Sequence, residues 1–304
     1  MADVVRIAAH AKLNLFLRIL SREAPSGYHQ IETAFVLLEL ADELVVTRTP
    51  ADVALAVDGP PSVLAPDLGP PEENLAVRAA HAVLEATGRK FGVAIRLTKR
   101  IPVRAGLGGG SSDAAAALRA VNALARDAVP RPELLQLAAR LGADVAFFAS
   151  GAPAALAWGR GERLFRLEPP PAAPALVAVP PLAIATPEAY RWWDELYPAS
   201  PPPARGPVVL DAPAFASWGS VGRLGGNDFE IPVFGKHPPL RELFERLAQT
   251  HPYWVRLSGS GSAVAAVYAS EALRDDAAMM LGEKRQRLIK TMTRALPAPG
   301  PEPG

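Results

Sequence analysis

Residues 102–113 read Pro-Val-Arg-Ala-Gly-Leu-Gly-Gly-Gly-Ser-Ser-Asp, and a run of alanines follows at once. No other stretch limits so tightly what the chain can fold into. Gly106, Gly108, Gly109 and Gly110 crowd together here, and glycine takes φ > 0 freely and lets backbone approach a ligand with no Cβ between. The alanine run is strongly helix-forming. The chain therefore has to pass from a strand at Val93–Thr98, through the glycines, into a helix from Ser111 to about Leu124. The first turn of such a helix offers unpaired N–H groups and the positive end of the macrodipole, which suits an anion and most often a phosphate. Two common glycine loops are excluded. A Walker loop needs Lys and then Ser/Thr after its last glycine, whereas Gly110 runs directly into Ser111 and Ser112. A dinucleotide fingerprint started at Gly106 puts Ser111 where its third glycine belongs. Lys99-Arg-Ile-Pro102 also makes the connection longer than a tight strand-to-helix turn. On the glycines alone, a flexible surface loop before a helix remains the other reading.

Length and composition narrow the class. The 304 residues suffice for two modest domains or one large one with ample core. Hydrophobic residues are 49% and charged residues 21%, as in soluble globular proteins. A net charge of +1 points to neither bulk nucleic acid nor an acidic membrane as a partner. Cysteine is absent, which removes disulfides, thiolate metal sites and cysteine nucleophiles and suits a cytoplasmic location. The five histidines show no i, i+4 pairing, so no histidine metal site is expected. No apolar run approaches the length of a membrane span.

Strand-like runs fill the start of the chain, at Lys12 to Leu20, Ile31 to Leu40 and Glu43 to Thr49. Asn74 caps a helix that Gly88 stops, and a second helix carries Leu134, Leu137, Ala138 and Leu141 on one stripe and ends at Gly142. The segment Val145 to Phe148 leads into small residues and strands as far as Leu167. Proline-dense residues 168–174 look like a joint. Beyond it come a strand at Ala175 to Val179, a short helix near Tyr190, and a Pro-rich loop from Pro198 to Pro207. A helix with Leu240, Leu243, Phe244 and Leu247 follows, and then two strands joined by Gly259-Ser-Gly-Ser262. Strands and helices mix without strict alternation, so the expected class is α+β in two lobes. The domains expected are 1–167 and 168–290, with 291–304, rich in Pro and Gly, as a disordered tail.

Three further segments could carry chemistry. Lys12 stands among Ala9-His10-Ala11, Leu13, Leu15 and Phe16, surroundings that hold a cation in place, although an exposed lysine on an edge strand reads the same way. Asp144 follows a helix-ending glycine and enters an apolar run. It is either an ordinary turn aspartate or a partly desolvated base whose ionised form a nearby ammonium such as Lys12 would preserve. The Ser/Gly turn at 258–262 is by itself an ordinary hairpin.

In combination these segments resemble a known family. Pro-x3-Gly-Leu-Gly-Gly-Gly-Ser-Ser-Asp before an Ala-rich helix resembles the second motif of the GHMP kinases, the galactose, homoserine, mevalonate and phosphomevalonate kinases. Ala11-Lys-Leu-Asn14 resembles the first motif and Leu257-Ser-Gly-Ser-Gly-Ser262 the third, in the family's order. Gly142-Ala-Asp-Val145 stands where the family carries its catalytic aspartate. Ser26-Gly-Tyr-His-Gln30, Glu72 to Ala80, Thr186-Pro-x-x-Tyr190 and Asn227-Asp-Phe-Glu230 resemble the cytidine diphosphate methylerythritol branch, which serves isoprenoid synthesis. The resemblance runs from about Ala11 to Tyr268.

That resemblance implies a two-lobe fold, with a ribosomal protein S5 domain 2-like N-terminal lobe and an α/β C-terminal lobe. It implies transfer of the γ-phosphate of ATP, with Mg²⁺ carried on the nucleotide and no dedicated metal ligands, to the 2-hydroxyl of a cytidine diphosphate methylerythritol. Asp144 would be the general base, and Lys12 would stabilise it and the moving phosphate. Asn14, Tyr28, His29, Thr186 and Tyr190 would meet that substrate, the two tyrosines as faces for the cytosine and His29 at its edge. Asn74, Lys99, Pro102, Gly106, Leu107, Gly108, Gly109, Gly110, Ser111, Ser112, Gly259, Ser260 and Gly261 would hold ATP. The partners expected are small molecules alone, with the chain a monomer or weak homodimer. Ala146, where many relatives have proline, and Arg104, where small residues are frequent, depart from the pattern. The rival readings are a GHMP kinase for homoserine or a mevalonate, which has no need for Tyr28-His29, and a catalytically silent nucleotide-binding regulator, which would not need both Lys12 and Asp144.

Overall fold

The computed structural model describes residues 3–24, 26–64, 69–198 and 210–304, so most of the Pro-rich loop from Pro198 to Pro207 lies outside the described residues. Strands β1 (Val4–Arg22), β2 (His29–Thr49), β3 (Val53–Asp58), β4 (Gly92–Thr98), β5 (Ala154–Gly159), β6 (Arg163–Leu167) and the short C-terminal β11 (Glu302–Pro303) make one sheet. Its order is β11-β1-β2-β4-β3, with β5 paired to β2 and β6 to β5. Strands β7 (Pro174–Val179), β8 (Trp254–Leu257), β9 (Val264–Val267) and β10 (Arg287–Met292) make a second, in the order β10-β7-β9-β8. Helices α1 (Leu75–Ala86), α2 (Gly109–Leu124), α3 (Arg131–Leu141) and α4 (Ala143–Ser150) cover the first sheet. Helix α5 (Thr186–Leu196) and the short α6 (Ala212–Phe215) and α7 (Trp218–Val221) follow, then α8 (Glu230–Lys236), α9 (Pro238–Ala248) and α10 (Glu271–Leu281). No described helix is long and apolar enough to cross a membrane.

Side-chain alternation explains why the layers stack as they do. On β7, Ala175 and Val177 turn to the first sheet while Leu176 and Ala178 turn to α5 and α8–α10. Strand β9 repeats this, with Ala265 and Val267 facing one way and Val264 and Ala266 the other. Both faces of the second sheet are thus apolar, and the two sheets lie back to back between two helical layers. In α2, Ala114 to Ala117 are all buried, and their small side chains let this helix lie close to α1 and α4.

Strand β1 does more than fill the sheet. Val5, Ile7 and Ala9 face the α1–α4 layer, but Ala11, Leu13 and Leu15 face the second sheet. The phase flips where the pairing with β2 shifts register between His10 and Lys12. A bulge re-aims every residue after it, and here it turns Lys12 and Asn14 toward the glycine loop. The backbone N–H of Lys12 then donates to Leu107 O at 3.0 Å.

Three expectations differ from what forms. The runs at Ile31 to Leu40 and Glu43 to Thr49 belong to one strand, because Ala41 and Asp42 keep their pairing with His10 and Ala9. Val145 to Phe148, read as leading into strands, belong to helix α4, whose first turn carries Asp144. The tail 291–304 is ordered against the first lobe. Arg294 N–H donates to Leu37 O at 2.8 Å, Ala298 N–H to Gly151 O at 3.2 Å, and Glu302 and Pro303 pair with Arg6 and Val5 of β1. A Pro-rich segment has no apolar periodicity to read, yet an extended chain short of N–H donors is well suited to an edge strand. Arg119 of α2 also donates to Pro299 O at 2.9 Å, so the tail straps α2 to β1. Deleting residues 295–304 should cost on the order of 1–2 kcal/mol, about 1.5–3 °C in Tm for a chain of this size. A thermal melt checks this; an unchanged Tm would make the strap energetically idle.

Candidate active site

Lys12 is 3% exposed, and three segments meet on it. Its Nζ donates to Asn14 Oδ1 at 2.5 Å and lies 3.8 Å from Asp144 Oδ2. Asn14 is held in turn, since its Nδ2 donates to Thr33 Oγ1 at 2.9 Å and that hydroxyl donates to Phe16 O at 2.6 Å. The ammonium also sits 5.5 Å from the centre of the Phe35 ring. Burial lowers the Lys12 pKa, and the nearby Asp144 carboxylate works against that shift. Asp144 is the more open partner, with 35% of its side chain exposed. A first-turn carboxylate complements the positive end of α4. An ammonium and a half-open carboxylate thus share the floor of the site.

The glycine loop covers this pair. Gly106 has φ +79° and Gly108 φ +74°, both in the left-handed region. A Cβ on Gly106 would fall 2.0 Å from Ser258 O, and one on Gly108 would fall 2.8 Å from Phe148 Cζ and 3.1 Å from Lys12 Cγ. Only glycine fits either position. Gly108 is the N-cap of α2, and no side chain caps that end. Around Gly110 a Cβ would meet nothing within 4 Å, so this face of the loop is open. Open backbone at the start of a sixteen-residue helix, beside a buried ammonium, suits a polyphosphate chain.

The Ser/Gly turn of the second lobe locks onto the same loop. Ser258 Oγ donates to Gly106 O at 3.0 Å, and Ala263 N–H donates to Ala105 O at 3.1 Å. Gly259 lies against Lys12, since a Cβ there would sit 3.3 Å from Nζ. Thr186 Oγ1 and Ser260 Oγ are 2.9 Å apart. Fully buried Asn227 holds the turn, donating to Leu257 O at 2.9 Å and Gly259 O at 2.7 Å. Its neighbour Asp228 accepts from Ile19 N–H at 2.9 Å, joining the turn to β1. The Asn-Asp-Phe-Glu segment stands out in the sequence, but only the folded chain shows what it does.

The Lys99 ammonium is enclosed by Asp42, and by Asp113 at 2.7 Å. Asp42 also accepts from the N–H groups of Arg100 and Ile101, at 2.5 and 2.8 Å. The cluster pins the approach to the glycine loop, through Lys99–Ile101, to β2 and to the first turn of α2. Burial alone would lower the Lys99 pKa, but Asp113 and Asp42 outweigh it and the net shift is upward. Two carboxylates share one ammonium, so burial and Asp42 push Asp113 up to about 7 against the pull of Lys99. Nothing in the local sequence marks Asp42 or Thr33 for these tasks. Asn74 likewise spends its Oδ1 as the cap of α1, accepting from Ala76 N–H at 2.9 Å.

The far end of the cleft is aromatic. Tyr190 stacks on the imidazole of His29, with ring centres 4.4 Å apart and planes 15° apart. Burial raises the Tyr190 pKa, helped by the charge of Asp144, which ties this end to the Lys12–Asp144 pair. Tyr28 is 58% exposed, and the Arg160 guanidinium covers its ring at 4.0 Å. Each tyrosine thus has a partner on one face, His29 for Tyr190 and Arg160 for Tyr28. A groove of about 620 Å³ lined by residues such as Arg6, Glu43, Thr47 and Arg96 lies elsewhere on the first sheet and contains none of the expected site residues except by adjacency to β4.

The family described as GHMP kinases N terminal domain matches residues 74–152, and that described as GHMP kinases C terminal matches 212–284. The chain is 36% identical to the 4-diphosphocytidyl-2-C-methyl-D-erythritol kinase of Heliobacterium modesticaldum, over 95% of each chain. It is 40% identical to the enzyme of that name from Symbiobacterium thermophilum, over 86% of this chain and 90% of the other. A crystal structure of 4-(cytidine 5'-diphospho)-2C-methyl-D-erythritol kinase superposes with a TM-score of 0.77 at 37% identity, covering 95% of this chain and 98% of that one.

The buried cluster makes stability depend on pH. Asp113 titrates near 7 when folded and near about 4 when unfolded. Its contribution is complete below the lower value and is lost as pH rises through the upper one. Melts of wild type and Asp113→Asn between pH 4 and 8 should show wild type losing ground to the variant across that window. A difference that stays constant with pH would contradict the raised Asp113 pKa.

Proposed function

The chain belongs to the GHMP kinases, and we propose that it transfers the γ-phosphoryl group of ATP to the 2-hydroxyl of 4-diphosphocytidyl-2-C-methyl-D-erythritol, with Asp144 as base and Lys12 as charge stabiliser. The observation that carries the division of labour is the Lys12–Asp144 pair, 3.8 Å apart beneath the glycine loop. Asp144 accepts the hydroxyl proton as the substrate oxygen bonds to the γ-phosphorus and the bond to the bridging oxygen of ADP breaks. Lys12 faces the carboxylate and the phosphoryl oxygens together, so it keeps the base ionised and offsets the charge that spreads over those oxygens. Its burial strengthens both effects, because water screens little there.

The residues suit the nucleotide. The left-handed Gly106 and Gly108 leave room that a Cβ would fill, and the uncapped start of α2 points N–H groups at the phosphates. Leu107, Gly109, Gly110, Ser111 and Ser112 extend this cradle, Gly259, Ser260 and Gly261 close it, and Asn74, Pro102 and the Lys99 backbone lie toward the base. Mg²⁺ travels on the phosphates and neutralises part of their charge, which needs no protein cage. Asn14, held by Thr33, orients the acceptor hydroxyl beside Lys12. Tyr28, His29, Thr186 and Tyr190 receive the cytidine end. The partner is a small molecule, met by the chain as a monomer or weak homodimer in the cytoplasm.

Purified protein with ATP, Mg²⁺ and this substrate should release ADP and yield a new phosphomonoester visible by phosphorus NMR. Asp144→Asn should lower kcat by about 10²–10⁴-fold with little change in KM for ATP. Undiminished turnover in that variant would remove Asp144 as the base, and turnover only with homoserine or mevalonate would move the chain to another branch.

A further inference from the structure

His10 takes no part in the reaction described so far, yet it is a titratable ring sealed inside the first lobe. Between the pairs His10–Ala41 and Lys12–Leu37, β2 has Leu38, Glu39 and Leu40 against the single Ala11 of β1. The C-terminal tail receives this bulge. Leu38 bridges to Thr293, Arg294 N–H donates to Leu37 O at 2.8 Å, and the Arg294 guanidinium pairs with Glu39. His10 bonds into the same bulge: it is 6% exposed, and its Nδ1 lies 2.9 Å from Leu38 O. A carbonyl oxygen only accepts, so Nδ1 carries a hydrogen. Nε2 is buried and has no hydrogen-bond partner among the described residues. A cavity of about 10 Å³ at the ring, walled by Leu37, Ser112, Arg119, Phe148 and Ala298, has room for one water at most.

We infer that the tail after β10 is an acid-released latch, and that protonation of the buried His10 beneath it lets it go. Three charged groups act on the ring: Arg294 of the tail, Glu39 of β2 and Arg119 of α2. Glu39 is already matched by Arg294, and Arg119 donates to Pro299 O and pairs with no carboxylate among the described residues. Lys12, farther along β1, is engaged by Asn14 and Asp144, and Asp113, next to Ser112 on α2, by Lys99. Helix α4 brings the apolar Phe148 ring to the cavity. An imidazolium therefore adds a third cation against one carboxylate, in a space too small to hydrate it. Burial and Arg294 accordingly hold the His10 pKa below its ordinary value.

Of the elements around the ring, the tail yields at least cost. It is the end of the chain and is held by a few bonds, at Leu37, Gly151, Arg119 and the edge of β1, whereas β1, β2 and α2 belong to the sheet and its core. Lifting it admits water to the ring, carries Arg294 away and leaves Glu39 to the imidazolium. It also frees Arg119 on α2, the helix that the glycine loop opens into. In the open form the imidazole titrates at the ordinary value of about 6.5. The closed form takes up the proton less readily. Closure is therefore at full strength above that value and weakens as pH falls below it, until the closed form is itself protonated.

Amide hydrogen exchange of the full-length chain, followed by NMR from about pH 5 to about pH 7.5 and corrected for intrinsic rates, reads this opening. The amides of Arg294 and Ala298, which donate to Leu37 O and Gly151 O, should lose protection by up to about tenfold per pH unit below about 6.5. The ladder between β2 and β4 should not follow them. In His10→Asn the amide nitrogen takes the place of Nδ1, keeps a donor for Leu38 O and does not titrate, so tail protection should stay flat. Flat protection in wild type overturns the latch, as does an undiminished slope in His10→Asn. A slope shared with the β2–β4 ladder also overturns it, since acid then loosens the whole lobe. If His10→Asn fails to fold, long-range ¹H–¹⁵N correlation on ¹⁵N-histidine wild type decides instead. His10 should show Nδ1–H and a bare Nε2 at about pH 7.5, and an imidazolium there with the tail still protected overturns the latch.

Discussion

A lysine ammonium taken out of water is the constraint around which this molecule is arranged. Desolvating such an ion costs several kcal/mol even after relaxation, and the cost is offset only by partners in good geometry. For Lys12 those partners come from three separated parts of the chain. Asn14 is two residues on, Asp144 arrives on α4, and the Phe35 ring lies alongside. Each needs its own support, and the supports reach outward. Thr33 fixes the Asn14 amide, the bulge after His10 turns β1 so that Lys12 faces the loop, and Gly108 is glycine because Phe148 and the Lys12 stem leave no room for more.

The same economy of contacts joins the lobes. Trp254 Nε1 donates to Leu15 O at 2.9 Å, Arg18 to Leu224 O at 3.1 Å, and Asn227 and Asp228 link the Ser/Gly turn to β1. The apolar layer between the two sheets includes Leu13, Leu15 and Phe16 from one side and Val177, Trp254 and Val267 from the other. A site built across such a seam has rigid walls, which favours catalysis by positioning. Its open parts are the half-exposed Asp144, the face at Gly110 and the aromatic end at Tyr28.

Much of this was legible in the sequence, for identifiable reasons. The glycine loop announces itself because its backbone conformation leaves only one residue type possible. Lys12 and Asp144 show through because a charge inside an apolar run is costly and so carries information. The back-to-back sheets follow from apolar residues on both faces of β7 and β9. What stayed hidden depends on contacts between distant residues. Asp42 is an aspartate between two strand-like runs until Lys99 is folded onto it. Thr33 alternates like any strand residue. The tail lacks periodicity and so reads as disorder, although the Leu37 and Gly151 carbonyls and the edge of β1 receive it. Helix α4 went unread because an eight-residue helix after Gly142 has almost no polar face to reveal its period.

The two buried lysines show how one fold gives the same side chain opposite tasks. Lys99 is surrounded by two carboxylates, both almost wholly buried, and its pKa moves up. Its charge is more than matched, and it has little attraction left for an incoming phosphate. Lys12 has one carboxylate, farther away and half in water, and its pKa moves down. Its charge is incompletely balanced within the protein. A buried cation in deficit is stabilised by the arrival of an anion, and most of all by the state in which negative charge is greatest and nearest. Lys99 therefore builds the loop, and Lys12, under the same loop, keeps a charge that the protein leaves partly unbalanced.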